Sequence, residues 1–533
     1  MKKTIKYISL GVVTIMLLFG CEVTNFDLLE NPNSVTPNSA NPEFLLNEIQ
    51  YLFQELMEDM IVNTDDVMRY EAMTDSYGDV VDTDVLNAEW ERYYEALLIS
   101  RTIDDLAQSD SNLLFHNAIN KLLVGYLTVT LVDYNGSIPF SEASNPELFP
   151  SPKLDSGIEL YQTVLADIDQ AILDINAATF DVSSDLFYGS DKDNWIAFAN
   201  SFKLRLLVQS RLASGDLGVS NVQGEINALL GSNLIDSTEE DFQYPYAAVI
   251  EPESRHPWYI RAYINGFSQY ISNYFMWMLK DSKSIRDPRI RYYLYRQSDI
   301  DPFSGPPYLA CQGDPDVDFC YVGDQYWGLD HGEDRTGRGD NLFRTVYGIY
   351  PAGGVFDEDQ FISTPDTANS GGSGILPIIT ASYIKFLSAE SALILDTNGD
   401  PAVLLEEAIR ASMDKVLNYG DVNSTFEPTQ SDVDDYVNEV ITNYNAASSD
   451  EERLDIIITE FYLAGFGNSI EAYNAYRRTG YPSNIQIPVG DDNPTFPRSF
   501  PYADAEVQTN GSISQKPNTD KVFWDKNPDG FIK

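Results

Sequence analysis

The apolar positions of this chain recur at spacings of three and four, the period of an amphipathic helix. Over 44–60 the stripe is Leu45, Ile49, Leu52, Leu56 and Met60. It continues as Trp90, Tyr93, Tyr94, Leu97 and Leu98 in 87–107, and as Ala118, Leu122, Gly125 and Val129 in 113–132. Segment 157–176 carries Leu160, Val164, Ile168, Ile172 and Ile175, and 193–213 carries Trp195, Phe198, Phe202 and Leu206. Short connections join these segments. Successive helices, each apolar on one face, bury that face by packing as stacked pairs. No sequence repeat of fixed period accompanies the layout. The pattern returns at 378–396, with Tyr383, Phe386, Leu387 and Glu390 on one face, and runs on through 402–417, 431–446 and 450–467.

Between the two helical blocks, 285–377 has no such period. It is rich in Gly, Pro, Asp and Tyr, as in Asp301-Pro302, Gly305-Pro306-Pro307, Gly353-Gly354 and Ser370-Gly371-Gly372-Ser373-Gly374. A long irregular segment in a compact protein is functional or disordered, and its many aromatics favour an ordered, functional one. The tail from Gly480 is also irregular, with Pro482, Pro488, Pro494, Pro497 and Pro501. Near the start, Asn31-Pro32-Asn33, Pro37-Asn38 and Asn41-Pro42 read as a tether.

The first residues follow a third pattern. Lys2, Lys3 and Lys6 precede an apolar run from Ile8 through Phe19, which ends at Gly20-Cys21. A basic start, a short apolar stretch and a small residue before Cys read as a lipoprotein export signal. The run is too short for a comfortable membrane span. Cleavage after Gly20 leaves Cys21 as an acylated N-terminus, and two or more acyl chains hold a protein stably on a membrane. The alternative is an ordinary signal peptide with an incidental Cys. The expected divisions are a signal over 1–20, a tether over 21–43 and a single domain over 44–533. Within that domain a helical scaffold covers 44–284 and 378–479, a loop-rich segment 285–377 and an irregular tail 480–533.

Charge narrows the partners. The chain has 34 Lys+Arg against 82 Asp+Glu, a net charge of −48. Such a surface repels nucleic acid, whose binding needs its phosphates neutralised, and it repels anionic lipid. Disorder is excluded by 43% hydrophobic and 12% aromatic residues, including 33 Tyr. Beyond Cys21, Cys311 and Cys320 remain; an exported compartment permits their pairing across a short loop, and two separate thiols are the alternative. No C-x-x-C spacing occurs and the only histidines are His116, His256 and His331, so no metal centre is expected. Asp314, Asp316 and Asp318 alternate as oxygen ligands for calcium do, but Phe319 and Gln325 stand where a calcium loop needs Gly and Glu. No cofactor is therefore expected, with calcium the one alternative.

Several segments together resemble the SusD/RagB family of nutrient-binding outer-membrane lipoproteins. They run in order from Asn31-Pro32-Asn33-Ser34-Val35-Thr36-Pro37 and Asn41-Pro42-Glu43-Phe44-Leu45-Leu46 to Asp133-Tyr134-Asn135-Gly136-Ser137-Ile138-Pro139-Phe140-Ser141-Glu142-Ala143. Ser137 and Phe140 depart from the family's Gly-Asp-Ile-Pro-Tyr-Ser-Glu-Ala pattern. Asp185 through Gly189, Asn200-Ser201-Phe202-Lys203-Leu204-Arg205, Arg255-His256-Pro257-Trp258, Asp287-Pro288-Arg289, Tyr347 through Gly354 and Tyr473 through Pro482 follow. The resemblance implies a mostly α fold of tetratricopeptide-like helix pairs forming a right-handed scaffold, with the loop-rich segment packed on it. It also implies a non-catalytic surface lipoprotein that captures an oligosaccharide or peptide and acts as lid of a TonB-dependent β-barrel transporter.

Sugar capture needs aromatic faces beside hydrogen-bonding groups. The expected ligand-binding residues are Tyr308, Tyr326, Trp327, Asp330 and His331 in the middle loop, with Trp258 and Tyr259 as a second group; Tyr321, Asp324 and Arg335 lie beside the first. The competing reading is that these rings fill core. Trp90 and Trp195, in periodic helices, are expected to be core, and Trp524 a packing anchor. Arg477-Arg478 are expected to be structural, packing or pairing with acids rather than clamping a phosphate, and Glu390 to be a helix-terminus acceptor or ion-pair partner rather than a general base. No G-x-S-x-G, H-E-x-x-H or Walker pattern is present. A surface glycoside hydrolase, which needs only two carboxylates, is the main alternative function; a protein-binding helical scaffold is the second.

Overall fold

Each periodic stripe is a helix in the computed structural model, which describes residues 41–74, 76–305, 309–334, 340–363, 371–490 and 495–532. The signal, Cys21 and the tether through residue 40 lie outside the described residues. Residues from Pro42 onward form one compact unit. The first block is α1 (Pro42–Asp65), α2 (Asn87–Ser109), α3 (Leu114–Asn135), α4 (Gly157–Ala177) and α5 (Lys192–Gln209). Leu160, Val164, Ile168 and Ile175 of α4 are buried as their spacing requires, each worth roughly 1.5–3 kcal/mol; Ile172 is half-buried. The start of α4 is fixed by a capping box between Ser156 and Glu159. On α2, Trp90, Tyr93 and Leu97 are buried, but Leu98 is 53% exposed. That five-residue stripe is wider than the face α2 buries.

Among the described residues, three helices of eight residues or more had no predicted counterpart: α6 (Val222–Leu230), α7 (Asn273–Lys280) and α12 (Ser469–Thr479). The second block opens with α8 (Ala381–Leu395), α9 (Pro401–Leu417), α10 (Gln430–Ala446) and α11 (Asp450–Ala464). The run predicted over 450–467 therefore stops at Ala464. Gly467, at φ +103°, carries the chain into α12 through a backbone conformation that an L side chain disfavours. Neighbours in sequence are packed partners, with α1 on α2, α3 on α4 and α8 on α9. None of the described helices is long and apolar enough to cross a membrane.

The segment 285–377 is held by short antiparallel ladders that bring distant residues together. β4 (Leu294–Arg296) pairs with β5 (Thr345–Tyr347). β3 (Phe242–Pro245) pairs with β6 (Ile375–Ile379), whose five residues are all buried. The third ladder joins β1 (Ser137–Ile138) to β2 (Asp155–Ser156).

Buried charges tie the blocks together. Asp133 accepts from Trp524 Nε1 at 2.7 Å and Asn474 Nδ2 at 2.9 Å, and Arg477 donates to the Asp133 carbonyl at 2.7 Å. The Arg477 guanidinium lies 3.8 Å from the Tyr473 ring centroid and 4.7 Å from that of Trp524. Arg478 meets Glu390 with two bonds of 2.8 Å, and Arg211 reaches the same carboxylate at 2.9 Å. Burial alone would raise the Glu390 pKa; Arg478 and Arg211 outweigh it and hold the carboxyl below its ordinary value. The arginine pair and Glu390 are thus structural, and Trp524 is an anchor. Cutting one partner of such a pair leaves an uncompensated buried charge.

Candidate functional site

The structure turns the expected ligand residues inward. Trp327 is 2% exposed, packs on Phe343 at 5.4 Å and donates Nε1 to the Ile300 carbonyl at 3.0 Å. Tyr326 is buried, with the Arg296 guanidinium 5.0 Å from its ring. Trp258 stacks on Tyr347 at 4.3 Å, and Tyr259 on Tyr263 at 5.1 Å; both are buried. His331 is wholly buried, and burial and then the Arg69 charge push it well below its usual pKa, so its ring is neutral. Rings sealed in this way offer no face to a solute, and the core reading holds for them. Tyr308 and Arg335 lie outside the described residues.

Asp330 is a structural hub. Its carboxylate accepts from Phe319 N at 3.0 Å, Cys320 N at 2.7 Å, Asn273 Nδ2 at 2.8 Å and Gln486 Nε2 at 2.6 Å. It thereby ties the 311–320 loop to α7 and to the tail. Cys311 and Cys320 are joined as a disulfide that closes the same loop. The calcium reading finds no support in this geometry. Asp314 accepts from Asp316 N at 3.0 Å, and Asp318 accepts from Gln486 Nε2 at 3.1 Å. Among the described residues no group of three or more potential metal ligands converges.

What the hub positions is a ring that sequence reasoning missed. Five of the six tryptophans are buried, and Trp277 on α7 alone is partly exposed. Phe319, also partly exposed and held by Asp330, lies 5.5 Å from it at 36°. Beside α7 opens a cleft of about 210 Å³ lined by Lys283, Asn443, Asp455, Thr459, Ser483 and Asn484, among others. It abuts α7 because Tyr274 donates to Asn484 Oδ1 at 3.1 Å, and Asn484 faces the Met278 sulfur at 3.8 Å. Asp455 accepts from Ser483 N at 3.1 Å and Ser483 Oγ at 2.5 Å.

The loop-rich segment carries a second, more exposed ring pair. Phe303, 48% exposed, meets Tyr321 at 5.3 Å. The intervening turn is pinned by Asp324, which pairs with Arg286 at 2.7 Å and Lys280 at 3.4 Å. Those cations overcome burial and keep the Asp324 carboxyl below its ordinary range. Asp324 and Gln325 both adopt positive φ, at 53° and 63°, which costs non-glycine residues energy and is common where a loop is shaped for a ligand. A signal for Trp277 did exist in the sequence. It is the one tryptophan of a short, aromatic-rich apolar run, Asn273–Lys280, that leads straight into Asp281, Lys283 and Arg286.

The described residues thus form a helical scaffold that leaves a few aromatic rings partly exposed on α7 and the loop-rich segment. The chain belongs to the SusD/RagB family. Residues 32–318 match the family model described as starch-binding associating with outer membrane, and residues 345–518 match the model for SusD and RagB outer-membrane lipoproteins. The fold is that of solved relatives. A chitin-binding protein superposes with a TM-score of 0.67 at 20% identity, covering 91% of this chain and 100% of its own. A chitin-binding SusD homologue from Flavobacterium johnsoniae gives 0.63 at 19%, covering 91% and 99%. A SusD homologue from Bacteroides fragilis gives 0.63 at 19%, covering 88% and 93%. No curated protein matches the sequence.

Proposed function

We propose that this chain is a lipoprotein anchored through Cys21 at the outer-membrane surface, where it captures a nutrient oligosaccharide and acts as lid of a TonB-dependent β-barrel transporter, without chemistry of its own. The observation that carries the capture step is Trp277 of α7, partly exposed with Phe319, on the helix whose Tyr274 and Met278 meet Asn484 of a cleft of hydroxyl, amide, ammonium and carboxylate groups. Sugar rings pack their C–H faces on such aromatics while their hydroxyls exchange hydrogen bonds with the polar lining. A peptide remains the alternative ligand. The chitin-binding and starch-binding descriptions of the relatives favour the glycan.

Binding to glycan and peptide arrays, followed by calorimetry on the best hit, tests the reading. Trp277→Ala should weaken that ligand about 5–30-fold, roughly 1–2 kcal/mol for a lost aromatic face, and the ligand should be recovered uncleaved. Unchanged affinity in Trp277→Ala would move the site elsewhere, and product formation would make the chain an enzyme. Co-purification with a β-barrel protein tests the transporter partnership.

A further inference from the structure

A second aromatic surface lies on other elements. Tyr51 of α1 is 42% exposed. Tyr244 of β3 and Tyr246, two residues on, share one face of the extended chain; both are partly exposed and their rings are 5.2 Å apart. Tyr244 is within electrostatic reach of Tyr51 and Glu55, and Tyr246 of Glu58 and Asp59. Gln54 Nε2 donates to the Tyr246 hydroxyl at 2.8 Å, fixing that ring against α1. Tyr51, Glu55, Glu58 and Asp59 follow helical spacing, so they form one stripe of α1 along the edge of the shelf.

The cations nearby are already committed. Arg92 bridges Glu55 and Asp59, and Arg261 holds Glu71 through bonds of 3.0 and 2.9 Å. Glu58 is the exception. Among the described residues its carboxyl has no hydrogen-bond partner, although it is largely withdrawn from water. Burial first, and then the Asp59 charge, push it up to about 8. At neutral pH it is therefore mostly protonated, because Arg261 and Arg92, engaged by other carboxylates, offset its burial only in part, and it lies within electrostatic reach of Tyr246.

We propose that Tyr51, Tyr244, Tyr246, Glu55 and Glu58 form a second binding shelf for an ammonium-bearing segment of a ligand. Tyrosine faces attract a cation through the ring quadrupole, Glu55 adds long-range attraction, and Glu58 supplies a carboxyl that no hydrogen bond engages among the described residues. An incoming ammonium favours the ionised carboxylate, so its arrival drives one proton from Glu58 into solvent. The same chemistry occurs in an amino-sugar oligomer and in a lysine-containing peptide. The shelf is independent of the Trp277 platform and does not rest on the function proposed above.

Calorimetry at pH 7 and low salt, on the intact chain, separates the cases. The probes are a glucosamine tetramer, its fully N-acetylated counterpart, and a trilysine peptide. The shelf requires that at least one ammonium probe bind ten times or more tightly than the N-acetylated tetramer, and that the affinity fall with salt. The heat should also differ between buffers of unlike ionisation enthalpy, reporting the released proton. Which ammonium probe binds identifies the source. Glu58→Gln, which keeps the neutral shape, and Tyr51→Ala should each weaken binding tenfold or more, the former also abolishing the buffer dependence. Equal affinity for neutral and cationic tetramers, no binding by either ammonium probe, or an unaltered Glu58→Gln variant would overturn the proposal. Loss of ammonium binding in Trp277→Ala would overturn its placement.

Discussion

Asp330→Asn separates a structural carboxylate from a ligand contact. In the native loop one carboxylate oxygen accepts from Phe319 N and Gln486 Nε2, and the other from Cys320 N and Asn273 Nδ2. An amide replaces one acceptor by a donor, so two of these four bonds are lost. Hydrogen bonds to a charged group contribute about 1.5–3 kcal/mol each, which sets an upper bound of roughly 3–6 kcal/mol. Relaxation reduces this. Asn273 Oδ1 has no partner among the described residues, so a flip of that amide presents an acceptor to the new NH₂ without breaking another bond. Gln486 lacks this freedom, because its Oε1 already accepts from His331 N at 3.0 Å. The variant therefore seats its amide nitrogen toward Asn273, and the Cys320 N–H is left unpaired at a cost of about 1–3 kcal/mol. Urea denaturation measures that loss. Hydrogen exchange should quicken at Phe319 and Cys320, and glycan affinity should fall only as far as Phe319 loosens. A stability change under 0.5 kcal/mol combined with a tenfold or larger loss of affinity would refute the hub and make Asp330 a ligand contact.

Two further outcomes follow from groups buried without full compensation or held by a covalent link. Cys311→Ser opens a loop whose ends are nine residues apart and should cost roughly 2–3 kcal/mol by chain entropy; wild type in reducing buffer should match it, and an unchanged denaturation midpoint would contradict the assignment. Asp65 is 1% exposed with neither carboxyl oxygen partnered among the described residues, and Asp66 has one such oxygen. Burial, and then the Glu71 charge, raise Asp65 well above its ordinary value and Asp66 to about 8. Raised folded values mean that the folded state holds more protons than the unfolded chain between about pH 4 and 8. Stability is then greatest on the acid side of that window and declines as pH rises through it, by about 1.4 kcal/mol per pH unit for each extra proton. The midpoint of thermal unfolding should drop from pH 5 to pH 8.5, and an Asp65→Asn, Asp66→Asn double variant should flatten the slope; an identical slope in that variant would sink the linkage.

What this sequence determined by itself was the helical scaffold and its family. A helix must bury one face, and the three-and-four spacing of Leu160, Val164, Ile168 and Ile175 places them on it whatever packs opposite. The capping residues Ser156 and Asp400 mark helix starts through bonds to amides two or three residues on, which is local information. The core role of Trp195 was legible too, since a large ring in a periodic helix has few other places to go, and the structural roles of Glu390 and Arg477-Arg478 followed from the scarcity of cations in a very acidic chain. The binding face was not legible. Trp327 and Trp277 carry the same indole, yet Trp327 is sealed beneath Phe343 while Trp277 keeps part of its ring in solvent. That difference is set by contacts such as Leu294 against Tyr347 and Asp330 against Gln486, which join residues far apart in the chain. A side chain's chemistry is written at its own position; its exposure depends on which distant segments fold over it, and only the tertiary structure decides that.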